Sequence, residues 1–401
     1  MRVSTNQFYT INSNHISRLQ QETNGTITQL ATGKRINTTA DDAIGSIVLS
    51  NLDQQDNRTS QYRANINLAH NRLAQQEGRL GEYETLLMNL RDKMLQGNDG
   101  ALPAESRAAI ALDLEQGLAA VLTLANSQDE NGNYVFAGHR GETKPFSQDS
   151  NGAVGYLGDD GRREARVADG VTVPVSESGQ RIFMEPANGS GDYRADYRSA
   201  TMTGKFFVES ANITNAGAHV SGDMTVNFGA DADGNRTISV SDAAGTVLHQ
   251  GAFDPKTPLQ VNGIELTISG EPAAGDSVTL SPQASADIFA SLNNAIALLR
   301  DPAGLDSHQQ QALYGQALDD LNASQLQASI VRAETGNYMA SLDNFNAQHN
   351  SMELVNAGAK STIRDLDYAA AVSDLEQQNL ALGAVTKSFA KVEGLTLFDY
   401  I

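Results

Sequence analysis

Cysteine and tryptophan are both absent from the 401 residues. Without cysteine there are no disulfides, no thiolate metal sites and no cysteine nucleophile. Cations are also scarce: 28 Lys and Arg stand against 48 Asp and Glu, for a formal charge of −20. No basic run offsets this locally. Phosphate binding needs clustered cations, so neither nucleic acid nor an anionic membrane is expected as a partner. No stretch approaches the roughly 20 apolar residues of a membrane span. The opening "MRVSTNQFYTINSNHISRLQ" lacks the apolar segment of a Sec signal peptide. The expectation is therefore a cytoplasmic chain, or one exported by a route that hydropathy does not reveal.

What is present divides into three parts. Residues 1–133 are rich in Leu, Ala, Gln, Asn and Arg and hold one proline, Pro103. Residues 134–285 turn to Gly, Asp, Ser, Thr and Val, and 286–401 return to the first style. The two ends carry apolar stripes at helical spacing. Tyr62, Ile66, Ala69, Leu73, Gln76, Leu80, Tyr83, Leu87, Leu90 and Met94 alternate steps of four and three. Tyr314, Ala317, Leu321, Ser324, Ala328, Val331, Thr335, Tyr338, Leu342, Phe345, His349 and Met352 do the same. A repeat this strict calls for partner helices that supercoil gently around one another.

Shorter stripes lie outside these, at Ile16, Leu19, Thr23, Ile27 and Leu30, and at Tyr368, Val372, Leu375, Asn379, Leu382, Thr386 and Phe389. These extreme stripes have no evident partner within one chain. They are expected to fray, or to pair with other copies.

The fold expected is mainly α: a long antiparallel helical bundle built from both ends, with coiled-coil-forming terminal helices and an inserted β-rich domain. Residues 1–40 and 357–401 are the terminal helices, expected to be disordered in the free subunit. Residues 41–133 and 286–356 are the bundle core, and 134–285 the exposed β-rich domain. Alternating runs such as "DMTVNF", "RTISVSD" and "IELTISG", separated by turn formers, mark antiparallel strands. "NYVFAG" and "RIFMEP" are candidates for further strands.

Catalytic chemistry finds little support. The seven histidines are scattered with no HxxxH pair. "DADGNRTISVSD" places Asp231, Asp233 and Asn235 at calcium-loop ligand positions, but Arg236 stands where that loop needs glycine. A hairpin turn is the stronger reading. No cofactor is expected, and no enzyme.

The block "QLATGKRINTTADDAIG", Gln29–Gly45, resembles the N-terminal motif of the flagellin superfamily. Within that superfamily, "MRVST", "ANSQDENGNYVFAG", "DLEQQNLAL" and "KSFAKVEGLTLFDYI" resemble the hook–filament junction family more than flagellin. The resemblance implies a structural subunit that joins the hook, through the other hook-associated junction protein, to the flagellin filament. It also implies export without a Sec signal and an export chaperone at the C-terminal region. Further copies, the other junction protein and flagellin would be its partners.

Ile16, Leu19, Ile27, Leu30, Val372, Leu375, Leu382, Val385, Phe389 and Val392 are the expected assembly positions. Arg35, Asn37, Asp41 and Asp42 would fix the superfamily turn, or serve as helix caps alone. The alternatives are flagellin itself, and a secreted adhesin or binding module carried on the middle domain.

Overall fold

The computed structural model describes residues 2–98, 102–300, 305 and 307–393. Six α-helices frame it: α1 (Arg2–Thr32), α2 (Ala43–Gly97), α3 (Ala104–Ala125), α4 (Ile288–Arg300), α5 (Ser307–Arg364) and α6 (Tyr368–Glu393). Along the chain, helical ends thus flank a β-rich middle. The chain divides into two compact units, one of residues up to 64 and from 344 onward, the other of residues 65–343.

In the second unit the long stripes are the buried faces. Ile66, Leu73, Gln76, Leu80, Tyr83, Leu87 and Met94 of α2 are all buried, as are Tyr314, Leu321, Ser324, Ala328, Val331, Thr335 and Leu342 of α5. The two segments run antiparallel: Gln76 Nε2 donates to Thr335 Oγ1 at 3.3 Å, and Arg332 bridges Glu77 and Glu84. α3 packs on the same core through Leu114, Leu118 and Val121. A Cβ on Gly117 would overlap the Leu90 side chain, so a residue with no side chain is what lets these helices approach. An aromatic cluster closes this core, with Phe183 5.3 Å from Phe136, 5.4 Å from Phe146 and 4.8 Å from Tyr83 between ring centroids.

α3 corrects the expectation that no segment reaches membrane-spanning character. Its 22 residues are long and apolar enough by length and composition. Alanines and leucines are interrupted there by few polar residues, and its buried face belongs to the protein core.

The strands are β1 (Phe146–Gln148), β2 (Val154–Tyr156), β3 (Glu164–Ala168), β4 (Val171–Pro174), β5 (Tyr193–Thr201), β6 (Lys205–Ile213), β7 (Met224–Ala230), β8 (Arg236–Asp242), β9 (Val247–Ala252), β10 (Leu259–Val261), β11 (Ile264–Glu271) and β12 (Ser277–Pro282). They form a five-stranded antiparallel sheet ordered β5-β12-β7-β8-β9, a three-stranded sheet β10-β11-β6 and two hairpins. Inward residues alternate along the strands, as at Met224, Val226 and Phe228, so the sheets share one apolar interior. Neither "NYVFAG" nor "RIFMEP" is a strand. The first is a run of turns holding one isolated bridge at Tyr134, and the second begins in a single π-helical turn, Gln180–Met184, and leaves it at Glu185. In both, the aromatic residue turns into the helical core instead of pairing in a sheet.

Asp287 sits just before α4 and accepts a hydrogen bond from the Phe289 amide at 2.8 Å. Burial pushes its carboxyl up to about 6. The folded state therefore holds this proton more tightly than the unfolded chain does. Well below pH 4, where both states are protonated, the group costs nothing. As pH rises from about 4 to 6 the unfolded chain ionises first and stability falls, reaching a loss of about 2–3 kcal/mol above that window. Asp287→Asn keeps an acceptor at the cap and removes the charge. The variant is expected to gain about 1–3 kcal/mol over wild type in urea unfolding at pH 7.5, and much less at pH 4.5. An equal gain at both pH values would contradict this.

Candidate assembly site: paired chain ends and the turn that joins them

In the first unit, α2 and α5 segments again run antiparallel and are held by charge. Lys360 bridges Asp53 and Asp56, each at 2.5 Å, and Arg63 meets Glu353 at 2.6 Å. Tyr62 stacks on His349, with ring centroids 5.7 Å apart.

The turn 33–42 is built residue by residue. Gly33 ends α1 with a left-handed φ of 68°, and its amide closes on Gln29 O at 2.8 Å. A side chain here would press on the Tyr368 hydroxyl. The two aspartates do different work. Asp42 Oδ1 accepts the Gly45 amide at 2.8 Å and caps α2. Asp41 instead folds back: its Oδ2 accepts the Thr38 and Asn37 amides at 2.7 and 2.9 Å. Those two amides hold its carboxyl below the usual carboxylate range, Thr38 contributing most. Asn37 Nδ2 donates to Lys34 O, which tightens the same loop.

Arg35 reaches out of the turn altogether. Its guanidinium donates to the Ile363 carbonyl in the last turn of α5, at 2.8 Å from one terminal nitrogen and 3.2 Å from Nε. It also lies 3.4 Å from Asp42. Beside it the backbones bridge: the Arg35 amide donates to Arg364 O at 2.6 Å, and the Leu366 amide to Gly33 O at 3.1 Å. α5 therefore continues to Arg364, and the break expected near "NAGAKSTIRD" falls at its end. Asp367 then caps α6 through the Ala369 amide at 3.0 Å.

From this junction α1 and α6 run antiparallel against each other. Tyr9 meets Phe389 edge to face at 5.3 Å, and Thr26 Oγ1 donates to Gln378 Oε1 at 3.0 Å. The α1 seam is Tyr9, Ile16, Leu19, Thr23, Thr26 and Leu30, and the α6 seam is Ala371, Leu375, Gln378, Leu382, Val385 and Phe389. Most of these are half-buried; Thr23, Thr26 and Ala371 are buried.

Two expected positions lie off the seam: Ile27 is 48 % exposed and Val372 47 %. Leu380, not anticipated, is 75 % exposed. The Val392 side chain and the tail 394–401 lie outside the described residues.

The family described as bacterial flagellin N-terminal helical region matches residues 3–140. The chain is 25 % identical over 404 residues to flagellar hook-associated protein 3 of Escherichia coli, covering 100 % of this chain and 99 % of that protein. The crystal structure of flagellar hook-associated protein 3 from Legionella pneumophila superimposes with a TM-score of 0.69 at 25 % identity, over 78 % of this chain and 98 % of that one. Xanthomonas campestris FlgL gives 0.65 at 26 %, over 77 % and 99 %.

Residues 3–140 thus match a flagellin-type N-terminal region, and the likeness to hook-associated protein 3 runs over the whole chain. The proteins it resembles are structural flagellar proteins, not an enzyme family.

Several residues that shape this flagellin-type junction escaped the sequence reading. Ile36 is buried in the turn against Gly45. The Ile363 carbonyl, Asp367 and Gln378 also act there. Asp367 was legible as a capping aspartate before "YAAAV"; a backbone carbonyl 328 positions from its arginine was not.

The calcium-like stretch lies elsewhere, in the β7–β8 hairpin. Asp231 Oδ1 accepts the Asp233 and Asn235 amides at 2.9 and 2.8 Å, and Oδ2 accepts Asn235 Nδ2 at 2.9 Å. Asp129, Asp149 and Asp242 repeat the same Asp-x-x-Gly-x turn, each accepting the amides two and four residues on. The glycine has positive φ in all four turns. Asp231 is thus one of four identical turn formers. Among the described residues no three His, Asp or Glu side chains are grouped to hold a metal.

Proposed function

We propose that the chain is a structural subunit of the bacterial flagellum, placed at the junction between hook and filament, and that it works by copy-to-copy packing of its paired ends. The observation that carries this is the α1–α6 pair. Its seam is covered on one side by one partner helix, and Ile27, Val372 and Leu380 remain in water. Two helices alone make a marginal unit, because helix stability in proteins comes chiefly from packing of an apolar face. Neighbouring copies supply the missing cover. In the free subunit the pair opens readily, and assembly orders it.

Subunits carrying a formal charge of −20 each repel one another. Uncharged apolar contacts are therefore the favourable way to join them. Ile16, Leu19, Leu30, Leu375, Leu382, Val385 and Phe389 supply the seam, and Ile27 and Val372 the outward contacts. Arg35, Asn37, Asp41 and Asp42 hold the turn at which α1 ends and beside which α6 starts.

The resemblance extends the proposal to partners and route. The other hook-associated junction protein lies on one side and flagellin on the other. A cytoplasmic chaperone shields the C-terminal region before export. Export proceeds through the flagellar channel without a Sec signal, for which an easily opened end pair suits threading.

Electron microscopy of the purified full-length chain tests the junction role. Short or no assemblies are expected from the chain alone. Long homopolymeric filaments would favour flagellin itself.

A further inference from the structure

We propose that Arg35 is a positioning residue that makes the two chain-end helices open and close as a single unit. Four segments converge within a few residues of it: the end of α1, the start of α2, the end of α5 and the start of α6. Gln29 Nε2, from the last full turn of α1, donates to Arg35 O at 2.8 Å. The Arg35 guanidinium carries the connection to the Ile363 carbonyl, 328 positions away in sequence.

That carbonyl is among the last four of a 58-residue helix, groups that have no partner inside the helix. It sits at the negative end of the helix dipole, where a cation is favoured. A guanidinium that donates twice to one such oxygen, and lies against Asp42 as well, meets the ends of both long helices at once. Lys34 and Asp365 flank it as the backbone bridge, and Tyr368, the first residue of α6, presses its hydroxyl against Gly33.

The consequence is mechanical. α1 cannot swing away from the junction without dragging the turn off α5, and the α6 start leans on that same turn. Loss of order at one chain end is thereby transmitted to the other. This consequence for polymerisation rests on the proposed assembly role; the coupling itself does not.

Hydrogen exchange read by mass spectrometry on the full-length free subunit tests it. In the wild type, peptides from residues 9–32 and 368–389 are expected to exchange with matching protection. Arg35→Ala is expected to reduce protection in both regions together, by roughly fivefold to tenfold, the worth of a charge-assisted hydrogen bond at a partly exposed site. Residues 65–343 should be unchanged, which shows that the variant folds. Arg35→Lys, which keeps charge and one donor contact, should recover part of the loss. Arg18→Ala, on the exposed face of α1, should alter neither region.

Loss confined to 9–32, no loss at all, a general loss that includes 65–343, or wild-type ends exchanging at the rate of unstructured chain would each overturn the proposal. Coupled loss in Arg35→Ala beside end-deleted chains that still co-sediment with filaments would retain the clasp and reject the assembly reading instead.

Discussion

Deleting residues 1–32, or residues 368–401, is expected to leave a folded protein that no longer assembles. The folded part survives because its cores lie elsewhere. The helical cluster of Tyr83, Leu87, Leu114, Phe183, Phe289 and Leu321 contains no residue from either deleted segment, and neither does the sheet cluster around Tyr197, Val226 and Ile264. Removing one end helix strips the other of its seam partner, so either deletion should have the whole effect. The check is cooperative urea unfolding, retained at close to the wild-type midpoint, beside co-sedimentation with flagellar filaments, lost altogether. A truncated chain that still co-sediments would remove the paired ends from the account.

The second large effect lies in the join between the β-rich region and α5. Asp320 is fully buried and meets Arg194 of β5 through two bonds, at 2.9 and 2.8 Å. Ser291 of α4 donates to the same carboxylate at 2.6 Å. One carboxylate thus ties together a strand and two helices. Removing either charge leaves the other buried without compensation, a change that costs about 3–5 kcal/mol. Asp320→Ala and Arg194→Ala are each expected to lower the unfolding free energy by that amount. The double variant Arg194→Leu with Asp320→Leu should lose less than the sum of the two, because no orphan charge remains. Additive losses in the cycle would show that the pair does not act as a unit.

Much of the helical frame was legible because its stripes are long and strict. Every position from Ile66 to Met94 on the four-three rhythm is buried. Over a run of that length, one face can satisfy the spacing and no other register competes. The short terminal stripes offered no such redundancy.

On α1 the sequence points to Ile27 by its chemistry, yet the seam passes through Thr26. Threonine is tolerated there because its hydroxyl is satisfied: Thr23 Oγ1 donates back to Leu19 O at 2.7 Å, and Thr26 Oγ1 donates across the pair to Gln378 Oε1 at 3.0 Å. With the polar atom satisfied, the methyl group packs as a small apolar residue, a distinction that hydropathy does not make.

The β-rich region was legible as strands but not as a sheet order. β12 lies between β5 and β7, a pairing that brings Thr279 opposite both Asp196 and Thr225. Alternation fixes which face a residue occupies and carries no information about which strand lies beside it. β5 itself, "YRADYRSAT", alternates buried Tyr193, Ala195 and Tyr197 with polar residues. Its charges hid that alternation in the sequence, although one of them, Arg194, makes the tie to α5.

The exposed apolar residues of the chain ends are expected to meet other copies. The absence of cysteine makes the direct measurement clean. Ile27→Cys and Leu380→Cys place single thiols on the uncovered faces of α1 and α6, and Leu157→Cys places one at an exposed site in the β-rich region as a control. Mild oxidation of assembled flagella, followed by non-reducing electrophoresis, should give subunit-to-subunit disulfides from the first two variants and none from the third. Cross-linking at Leu157 with none at Ile27 or Leu380 would contradict the account.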